Sequence, residues 1–223
     1  MLFRKKYVKT GGELEMNVIE ALNWRYAVRE FSNEKISDES LKTLLDATRL
    51  AATSYGLQPY RLMVIDDKEL RKKLLEFSFG QKKVLYCSHL VVFAAQTNIG
   101  DSLVDNYIRK VSNVRKIPIT ELRDYADHIK AALSNKSDKQ KREWAHQQAY
   151  IALGTLLTSA ALLGIDTCPM GGIDARAYDD TLNFKSINLE TSMVCALGVR
   201  SQQDKSAGLK KVRYDESEML VTI

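Results

Sequence analysis

The sequence predicts an α+β fold, in which a mixed central β-sheet is flanked by helices. Apolar residues recur at helical spacing along most of the chain, and short apolar runs with β-branched residues alternate with these segments. No internal repeat and no low-complexity linker interrupts them. We therefore expect residues 16–223 to form a single domain built around one sheet.

Local capping signals mark where several predicted helices begin. Ser37 and Asp174 are expected N-caps, because each precedes a helical pattern and carries an oxygen that can accept from the backbone. Asp66 and Asp67 cap a third helix, and Asp138 follows a polar break and can cap another. The expected helices cover residues 17–25, 38–51, 68–77, 81–87, 101–113, 119–135, 144–164 and 175–182.

The helix expected from Trp144 to Gly164 has the longest apolar pattern in the chain. Its apolar residues lie around most of its circumference, and a helix of that kind is buried on several sides. It is therefore either the central helix of the domain or part of a dimer interface. Gly164 is its expected end, because glycine readily takes the left-handed conformation that closes many helices.

Four apolar runs are predicted strands. His89–Thr97 is almost continuously apolar, which is typical of a central strand covered on both faces. The tail at 201–223 follows the last strand and could add an edge strand, either within the chain or to another subunit. The expected strands cover residues 60–66, 89–97, 165–169 and 191–199.

Composition narrows the class of partner. The net charge is +5 and the pI is near 9.0, but the lysines and arginines are spread along the chain, which favours small anionic ligands over nucleic acid. No apolar run approaches the ~20 residues of a membrane span, so no membrane partner is expected. Residues 1–15 are basic without a long apolar segment, and we interpret them as a leader or flexible arm.

Several common catalytic and metal sites are not predicted. Cys87, Cys168 and Cys195 form no CxxC pair, so no metal site is expected, and thiols without a disulfide framework indicate a reducing, cytoplasmic location. His128 and His146 have no partners at metal-ligand spacing, and no Ser/His/Asp arrangement is visible. A GxGxxG fingerprint is absent, which argues against a Rossmann nicotinamide domain.

Arg25 and Arg29 lie four residues apart at the end of the first predicted helix. Guanidinium groups are permanently charged, and their forked donors suit a phosphate or a polarised carbonyl. Both would face the same way on a continuous helix, but they diverge if the helix ends near Ala27. Taken alone, the pair could equally be solvated surface arginines.

Five segments, taken in order, decide between these alternatives. They are RYAVREF (25–31), SYGLQPYRLMVI (54–65), SHLVVFAA (88–95), GIDTCPMGGID (164–174) and LKKVRY (209–214). This series resembles the FMN-dependent nitroreductase family, in the branch of oxygen-insensitive NAD(P)H nitroreductases and related quinone or dihydropteridine reductases. The resemblance covers about residues 16–223. It implies a nitroreductase-like α+β homodimer with an FMN site at each of two subunit interfaces and a C-terminal extension that reaches the partner.

The resemblance also implies roles for individual residues around the phosphate and the pyrimidine edge of FMN. Arg25 would bind the phosphate or ribityl chain, and Lys211 and Arg213 would complete a phosphate clamp. Arg29 and Lys83 would stabilise negative charge beside the pyrimidine edge. Tyr26 and Ala27 would contribute next to Arg25, although Ala27 lacks the hydroxyl that the family usually has there.

Two turns would line the rest of the pocket. The first would come from the neighbouring subunit, where Gly56 stands at a position that is often asparagine; its residues are Thr53, Ser54, Gly56 and Gln58. The second would pass over the flavin face and N5, and Gly171 leaves only backbone N–H groups as donors where some relatives carry glutamate. Its residues are Pro169, Met170, Gly171 and Gly172, and Gln81 is a further candidate beside the ring.

The implied reaction is ping-pong. NAD(P)H would donate hydride to FMN N5, and two electrons would then pass to a nitro compound, a quinone or a similar acceptor, with no protein acid or base strictly required. Residues 101–135, including Tyr107, Arg109, Tyr125 and His128, would form part of the acceptor site. Two alternatives remain open: a flavin-binding or regulatory member that does not turn over, and a basic helical interaction protein without a cofactor.

Overall fold

The structure is a computed structural model that describes residues 17–223. The leader or arm predicted at residues 1–15 lies outside the described residues, and the single domain expected over 16–223 stays a prediction. No helix within residues 17–223 combines the length and the apolar character needed to cross a membrane.

The described residues form nine α-helices and four β-strands. The helices are α1 (Val18–Trp24), α2 (Asp38–Arg49), α3 (Lys68–Glu76), α4 (Lys83–Tyr86), α5 (Asp101–Arg115), α6 (Arg123–Ser134), α7 (Asp138–Leu162), α8 (Ala175–Thr181) and α9 (Glu216–Met219). The strands are β1 (Tyr60–Ile65), β2 (His89–Gln96), β3 (Asp166–Met170) and β4 (Leu189–Gly198). Short 3-10 turns occupy Ser54–Gly56, Ile119–Leu122, Phe184–Ile187 and Lys205–Gly208.

The four strands form one sheet in the order β1-β2-β4-β3, and each neighbouring pair is antiparallel. The α+β class is confirmed, but within residues 17–223 parallel pairing is limited to one isolated bridge between Ala27 and Thr167. The sheet is therefore less mixed than predicted. The reason is that α3 and α4 turn the chain round beside Ile65, so that β2 begins at the same end, with Leu90 opposite Ile65.

The central strand β2 is buried on both faces, as predicted. Because successive side chains alternate across a strand, Val91 and Phe93 pack on the side of α2 and α7, whereas Val92 faces the opposite side. There it joins a cluster that includes Leu74 of α3 and Tyr178 of α8. A third cluster lies among α5, α6 and the start of α7. The sheet thus carries helices on both faces, and the loops at the ends of its strands are held between these helices.

Helix α7 differs from the prediction at its start. It begins at Asp138 rather than Trp144, and its N-cap is Ser137, which forms a capping box with Gln140. Its first turns are polar and carry no apolar pattern, so the apolar spacing could not predict them. Gly164 follows the helix with φ +68°, as expected for its end.

Only one side of α7 is covered in this protomer. Ala149, Ala152 and Leu156 are buried against the sheet and α2, whereas Tyr150 and Ile151 are 52% and 45% exposed. The neighbouring α1 also leaves apolar side chains exposed, namely Val18, Ile19 and Leu22. Part of the apolar surface of α7 is therefore left exposed to solvent in a single chain.

The C-terminal tail runs over the surface after β4. Arg200 forms a bridge with Phe31, and beyond it the described tail contains the turn Lys205–Gly208 and α9 but no further strand. Its apolar side chains are largely exposed, among them Val212, Val221 and Ile223. The predicted edge strand on a partner subunit stays a prediction.

Candidate functional site

The segment 25–31 leaves α1 as an extended chain. The helix ends at Trp24, and Arg25 already has extended backbone angles (φ −72°, ψ 142°). The N–H of Val28 donates to the carbonyl of Thr167 on β3 at 3.1 Å, next to the bridge at Ala27. Arg25 and Arg29 therefore do not share a helix face.

Three cations converge beside this segment: Arg25, Lys211 and Arg213. Burial lowers the pKa of Arg25, and the positive charge of Arg213 lowers it further. Burial likewise lowers the pKa of Lys211, followed by the charges of Arg25 and Arg213. No carboxylate of the described residues contributes to either shift. We call these three residues the cation cluster.

Two observations on donors strengthen this description of the cation cluster. Lys211 donates from Nζ to the carbonyls of Leu22 and Arg25, so the tail is tied to the end of α1. The Nε of Arg25 is buried and has no hydrogen-bond partner. A buried donor left unpaired is costly, and a bound anion would satisfy it.

A second set of cations surrounds Cys168 on β3. Burial raises the pKa of the Cys168 thiol, while Lys83, through its charge and a hydrogen bond, opposes that rise, as do Arg29 and Arg25. Lys83 is buried at the first residue of α4, and Arg29 is exposed. Arg25 therefore borders both sets, and the predicted residues Arg25, Arg29, Lys83, Lys211 and Arg213 lie in one continuous region.

The turn after β3 adds bare backbone to this region. A Cβ atom at Gly171 or Gly172 would meet nothing within 4 Å, so open space lies above the turn. Gln81 donates from Nε2 to the carbonyl of Gly172 at 2.9 Å, which links this turn to the segment before α4. Pro169 and Met170 end β3 just before the turn. The geometry leaves room for a planar ligand over Gly171 and Gly172.

The turn around residues 53–58 lies against other elements. Gln148, buried on α7, accepts from the N–H of Ser54 at 2.8 Å and from the hydroxyl of Thr53 at 3.3 Å. Gln58 has φ +45° and donates from Nε2 to the carbonyl of Arg49 at 2.8 Å. Among the described residues, no hydrogen bond joins this turn to 25–31 or to 169–172. In a single chain the turn is instead hydrogen-bonded to α7 and to the end of α2.

The side chain of Tyr26 contacts Asp204 and Arg200, and its predicted contribution beside Arg25 stays a prediction. Its hydroxyl donates to Asp204 at 3.1 Å, and its ring lies 4.6 Å from the guanidinium of Arg200, which also stacks on Trp24 at 4.2 Å. Burial raises the pKa of the Tyr26 phenol. Arg200 in turn pairs with the buried Asp166, donating from Nε at 2.7 Å. Any contribution of Tyr26 to a ligand is thus left to its backbone.

Asp204 was not singled out from the sequence, although it shapes the region. Its carboxylate is 5% exposed and accepts from the N–H groups of Arg29, Glu30 and Ser206 as well as from Tyr26. Burial tends to raise its pKa, but these hydrogen bonds outweigh burial and lower it. Asp204 therefore ties segment 25–31 to the tail that carries Lys211 and Arg213.

The structure also contains a Ser/His/Glu arrangement that no spacing in the sequence predicts. His146 on α7 lies 2.7 Å from the Ser192 hydroxyl through Nδ1 and 2.8 Å from Glu190 through Nε2. Ser192 sits at an irregularity in the β2–β4 pairing, where Phe93 opposes Met193 but Ala94 opposes Thr191. The three residues link α7 to β4, and they converge only through the fold.

The part of the chain that the structure describes contains neither a metal site nor an exposed reactive thiol. No group of three or more His, Cys, Asp or Glu residues within 17–223 is arranged to hold a metal ion. Cys87, Cys168 and Cys195 are free and buried, and burial raises the pKa of each thiol. The cationic region is therefore the best candidate for a ligand site.

Comparisons with known proteins agree with this architecture. The model of the "Nitroreductase family" matches residues 22–199. The "Putative NAD(P)H nitroreductase SERP2086" of Staphylococcus epidermidis is 33% identical over 218 residues, which cover 93% of this chain and 97% of that protein. The "Putative NAD(P)H nitroreductase YfkO" of Bacillus subtilis is 30% identical over 84% of this chain and 90% of its own.

Solved structures share the fold at lower sequence identity. The "putative nitroreductase ydfN" of Bacillus subtilis has a TM-score of 0.82 at 22% identity, covering 92% of this chain and 98% of that one. A "putative nitroreductase in complex with FMN" from Exiguobacterium sibiricum has a TM-score of 0.80 at 21% identity, covering 93% and 98%. By its fold and by the match over residues 22–199, this chain belongs to the nitroreductase family.

Proposed function

We propose that this chain is a flavoprotein oxidoreductase that binds FMN and passes two electrons from NAD(P)H to a nitro compound, a quinone or a similar acceptor. The observation that carries the proposal is the cation cluster, in which Arg25, Lys211 and Arg213 converge with no carboxylate contributing among the described residues. Family membership supports the same reading, as does the relative from Exiguobacterium sibiricum that was solved with FMN.

The cation cluster fits a phosphate group. Three cations held together without an anion repel one another, and this repulsion adds to burial in lowering the pKa of Arg25 and Lys211. A phosphate dianion would relieve the repulsion and accept several charge-assisted hydrogen bonds. The unpaired Nε of Arg25 is one donor already in place. We assign Arg25, Lys211 and Arg213 to the phosphate end of FMN.

The remaining residues suit the ring. FMN, when bound, supplies two-electron transfer between a nicotinamide and an acceptor. Lys83 and Arg29 place positive charge near Cys168, where they would stabilise negative charge that develops on a bound ring. The backbone N–H groups of Gly171 and Gly172 are the donors offered by the open turn. Position and electrostatics are thus what the protein contributes, with no acid or base required.

We expect a ping-pong order, in which both substrates use the same face of the bound ring in turn. The ring would fill the open space beside Gly171 and Gly172, and NAD(P)H and the acceptor would each stack on the ring face that the protein leaves exposed. Because the two substrates would use the same space, each would bind only after the other had left. We place the enzyme in the cytoplasm, because Cys87, Cys168 and Cys195 are free thiols, and we expect no nucleic-acid or membrane partner.

We also propose that the protein works as a homodimer. The exposed apolar faces of α1 and α7 would pack against a second copy, and the turn 53–58 would complete the partner's FMN site. The tail, with Leu220 and Val221 exposed, would lie along the partner's β1. That strand is at the sheet edge and borders a cavity of about 510 Å³ lined in part by Leu62, Met63 and Val64.

The absorbance spectrum of the purified protein, followed by titration with FMN, tests the proposal. Arg25→Ala and Arg213→Ala should each raise the Kd for FMN about 10–100-fold, because each loses a charge-assisted hydrogen bond of about 1.5–3 kcal/mol. Arg176→Ala, an exposed arginine on α8, is the matched control and should leave the Kd unchanged.

Turnover is measured as NAD(P)H oxidation with and without an added quinone. A yellow protein that oxidises NAD(P)H only when the quinone is present agrees with the proposed function. A yellow protein without turnover would favour the flavin-binding or regulatory alternative. A colourless protein that takes up no FMN would overturn the proposal and favour a basic interaction protein.

A further inference from the structure

His146 on α7 lies between a serine hydroxyl and a carboxylate. Its Nε2 is 2.8 Å from Oε1 of Glu190, and its Nδ1 is 2.7 Å from the hydroxyl oxygen of Ser192. An ionised carboxylate can only accept, so Nε2 carries a proton and donates a hydrogen bond to Glu190. In the neutral ring Nδ1 is then an acceptor, and Ser192 donates its O–H to it. We call these three residues the serine relay.

This order of groups is the one that activates a serine for nucleophilic attack. A nucleophilic hydroxyl needs a base within about 2.6–3.2 Å, and the base in turn needs a third group that orients it. His146 meets the first requirement for Ser192, and Glu190 meets the second. Compared with the triad of serine proteases, the two ring nitrogens have exchanged roles, but the path of the proton is the same.

A bulge in β4 places the serine hydroxyl in this position. The pairing with β2 skips Ser192, because consecutive residues of β2 oppose Met193 and Thr191. Thr191 donates its hydroxyl to Asp179 on α8 at 2.6 Å, whereas Ser192 and Met193 both face α7. Two consecutive side chains cannot face the same side of a regular strand. The bulge therefore aims Ser192 at His146.

The serine relay is also accessible to small molecules. The side chains of His146 and Glu190 are 30% and 26% exposed, and Ser192 is partly exposed. A second serine in the chain provides a contrast: the hydroxyl of Ser88 lies 3.0 Å from Nδ1 of His89, but these two residues are only 2% and 7% exposed. A reagent in solution should therefore reach Ser192 and not Ser88.

We propose that Ser192 is a nucleophile that accepts acyl groups from activated esters of small carboxylic acids, with His146 as its general base and Glu190 as the residue that positions the ring. The Ser192 oxygen forms a bond to the acyl carbon while the ester C–O bond breaks, and the proton passes from Ser192 through His146 to the leaving alcohol. Water then releases the acid by the same route. No electrons are transferred, so the step needs neither FMN nor NAD(P)H.

Reaction of the full chain with p-nitrophenyl acetate, followed by peptide mass mapping, tests the proposal. We expect an acetyl group on Ser192 in the folded protein, and none on this residue after unfolding in urea. Ser88 should stay unlabelled because it is buried. Ser134 is the exposed control and should also stay unlabelled, because its hydroxyl donates to the carbonyl of Ala131 rather than to a base. This mapping uses the wild-type chain, so it does not depend on a variant that folds.

The roles of the other two residues are tested by the rate of acetylation at Ser192. His146→Gln should lower the maximal rate about 10²–10⁴-fold, because the base is lost. Glu190→Gln should lower it about 10–100-fold with the half-saturating ester concentration unchanged, because a neutral amide does not stabilise the imidazolium. Ser134→Ala is the matched control and should leave the rate unchanged.

Folded protein without an acetyl group on Ser192 would overturn the proposal, as would labelling that is equally fast in His146→Gln. Either result would leave the serine relay as a structural link between α7 and β4. A maximal rate in Glu190→Gln equal to that of the wild type would overturn the positioning role. None of these outcomes bears on the proposed function, because labelling is read by mass and requires no turnover of NAD(P)H.

Discussion

Arg25 and Tyr26 are neighbours in the chain but belong to regions of opposite electrostatic character. Arg25 joins Lys211 and Arg213 in the cation cluster, where no carboxylate of the described residues contributes to the pKa shifts. Tyr26 joins a network in which Arg200 pairs with Asp166 and the Asp204 carboxylate accepts four hydrogen bonds. One region lacks a counter-charge, and the other is almost completely paired.

This difference separates binding from folding. A charge network whose members satisfy one another contributes to the stability of the chain, and removing one member leaves a buried charge uncompensated. Cations that repel one another lower stability until an anion binds, so an anionic ligand should stabilise the cation cluster. Substitutions in the two regions should therefore move different measurements.

The largest effect is expected in the paired network. Asp166→Ala leaves the Arg200 guanidinium, 22% exposed, without its carboxylate, and should lower the free energy of unfolding by about 3–5 kcal/mol. Urea unfolding followed by circular dichroism measures the change. Combining Asp166→Ala with Arg200→Met should recover part of the loss; a single variant that loses less than about 1 kcal/mol would contradict the importance given to this pair.

A smaller effect of opposite sign, a gain in stability, is expected when an anion binds to the cation cluster. Sulfate at about a hundred-fold excess over its Kd should stabilise the FMN-free protein by about 2–3 kcal/mol, beyond sodium chloride of equal ionic strength, because it supplies the missing anion. Thermal unfolding measures the rise in Tm. Arg213→Ala should lose most of this rise, whereas Arg176→Ala should keep it; equal rises in both variants would show that sulfate acts elsewhere.

The smallest effect joins the two regions through Asp204. Hydrogen bonds lower the folded-state pKa of Asp204 below its unfolded value of about 3.9. The ionised carboxylate therefore stabilises the fold above about pH 3.9, and this stabilisation is lost as the pH falls through the folded-state pKa. Asp204→Asn should therefore lower the free energy of unfolding by about 1–2 kcal/mol at pH 7. The gap to the wild type should narrow toward pH 3, as measured by urea unfolding at several pH values. A constant gap would contradict this assignment.

Signals that act within a few residues were read correctly from the sequence. Ser37, Asp67 and Asp174 were expected to cap helices, and the structure confirms each cap with a hydrogen bond to the backbone three residues later. Asp138 was a wrong choice because Ser137 beside it carries the same kind of oxygen and accepts from Gln140. An adjacent pair of capping residues cannot be ranked without the backbone angles.

Contacts between distant segments could not be predicted in this way. Arg25, Lys211 and Arg213 were grouped only through a family resemblance, and the geometry brings them together, while their roles stay predictions. Asp204 hydrogen-bonds to Arg29 across 175 positions, and no spacing rule connects two such residues. Gln148 was missed as a partner of the turn 53–58 for the same reason, since it looks like an ordinary helix residue in the sequence.

The three buried thiols have a practical consequence. A thiol reagent is attacked by the thiolate, and burial both shields Cys87, Cys168 and Cys195 and suppresses their ionisation. Their labelling rate should therefore report how often the sheet opens, without any introduced probe. Cys168 lies beside Lys83 and Arg29. Slower labelling of this one thiol in the presence of a ligand would therefore indicate that the ligand binds near these two residues.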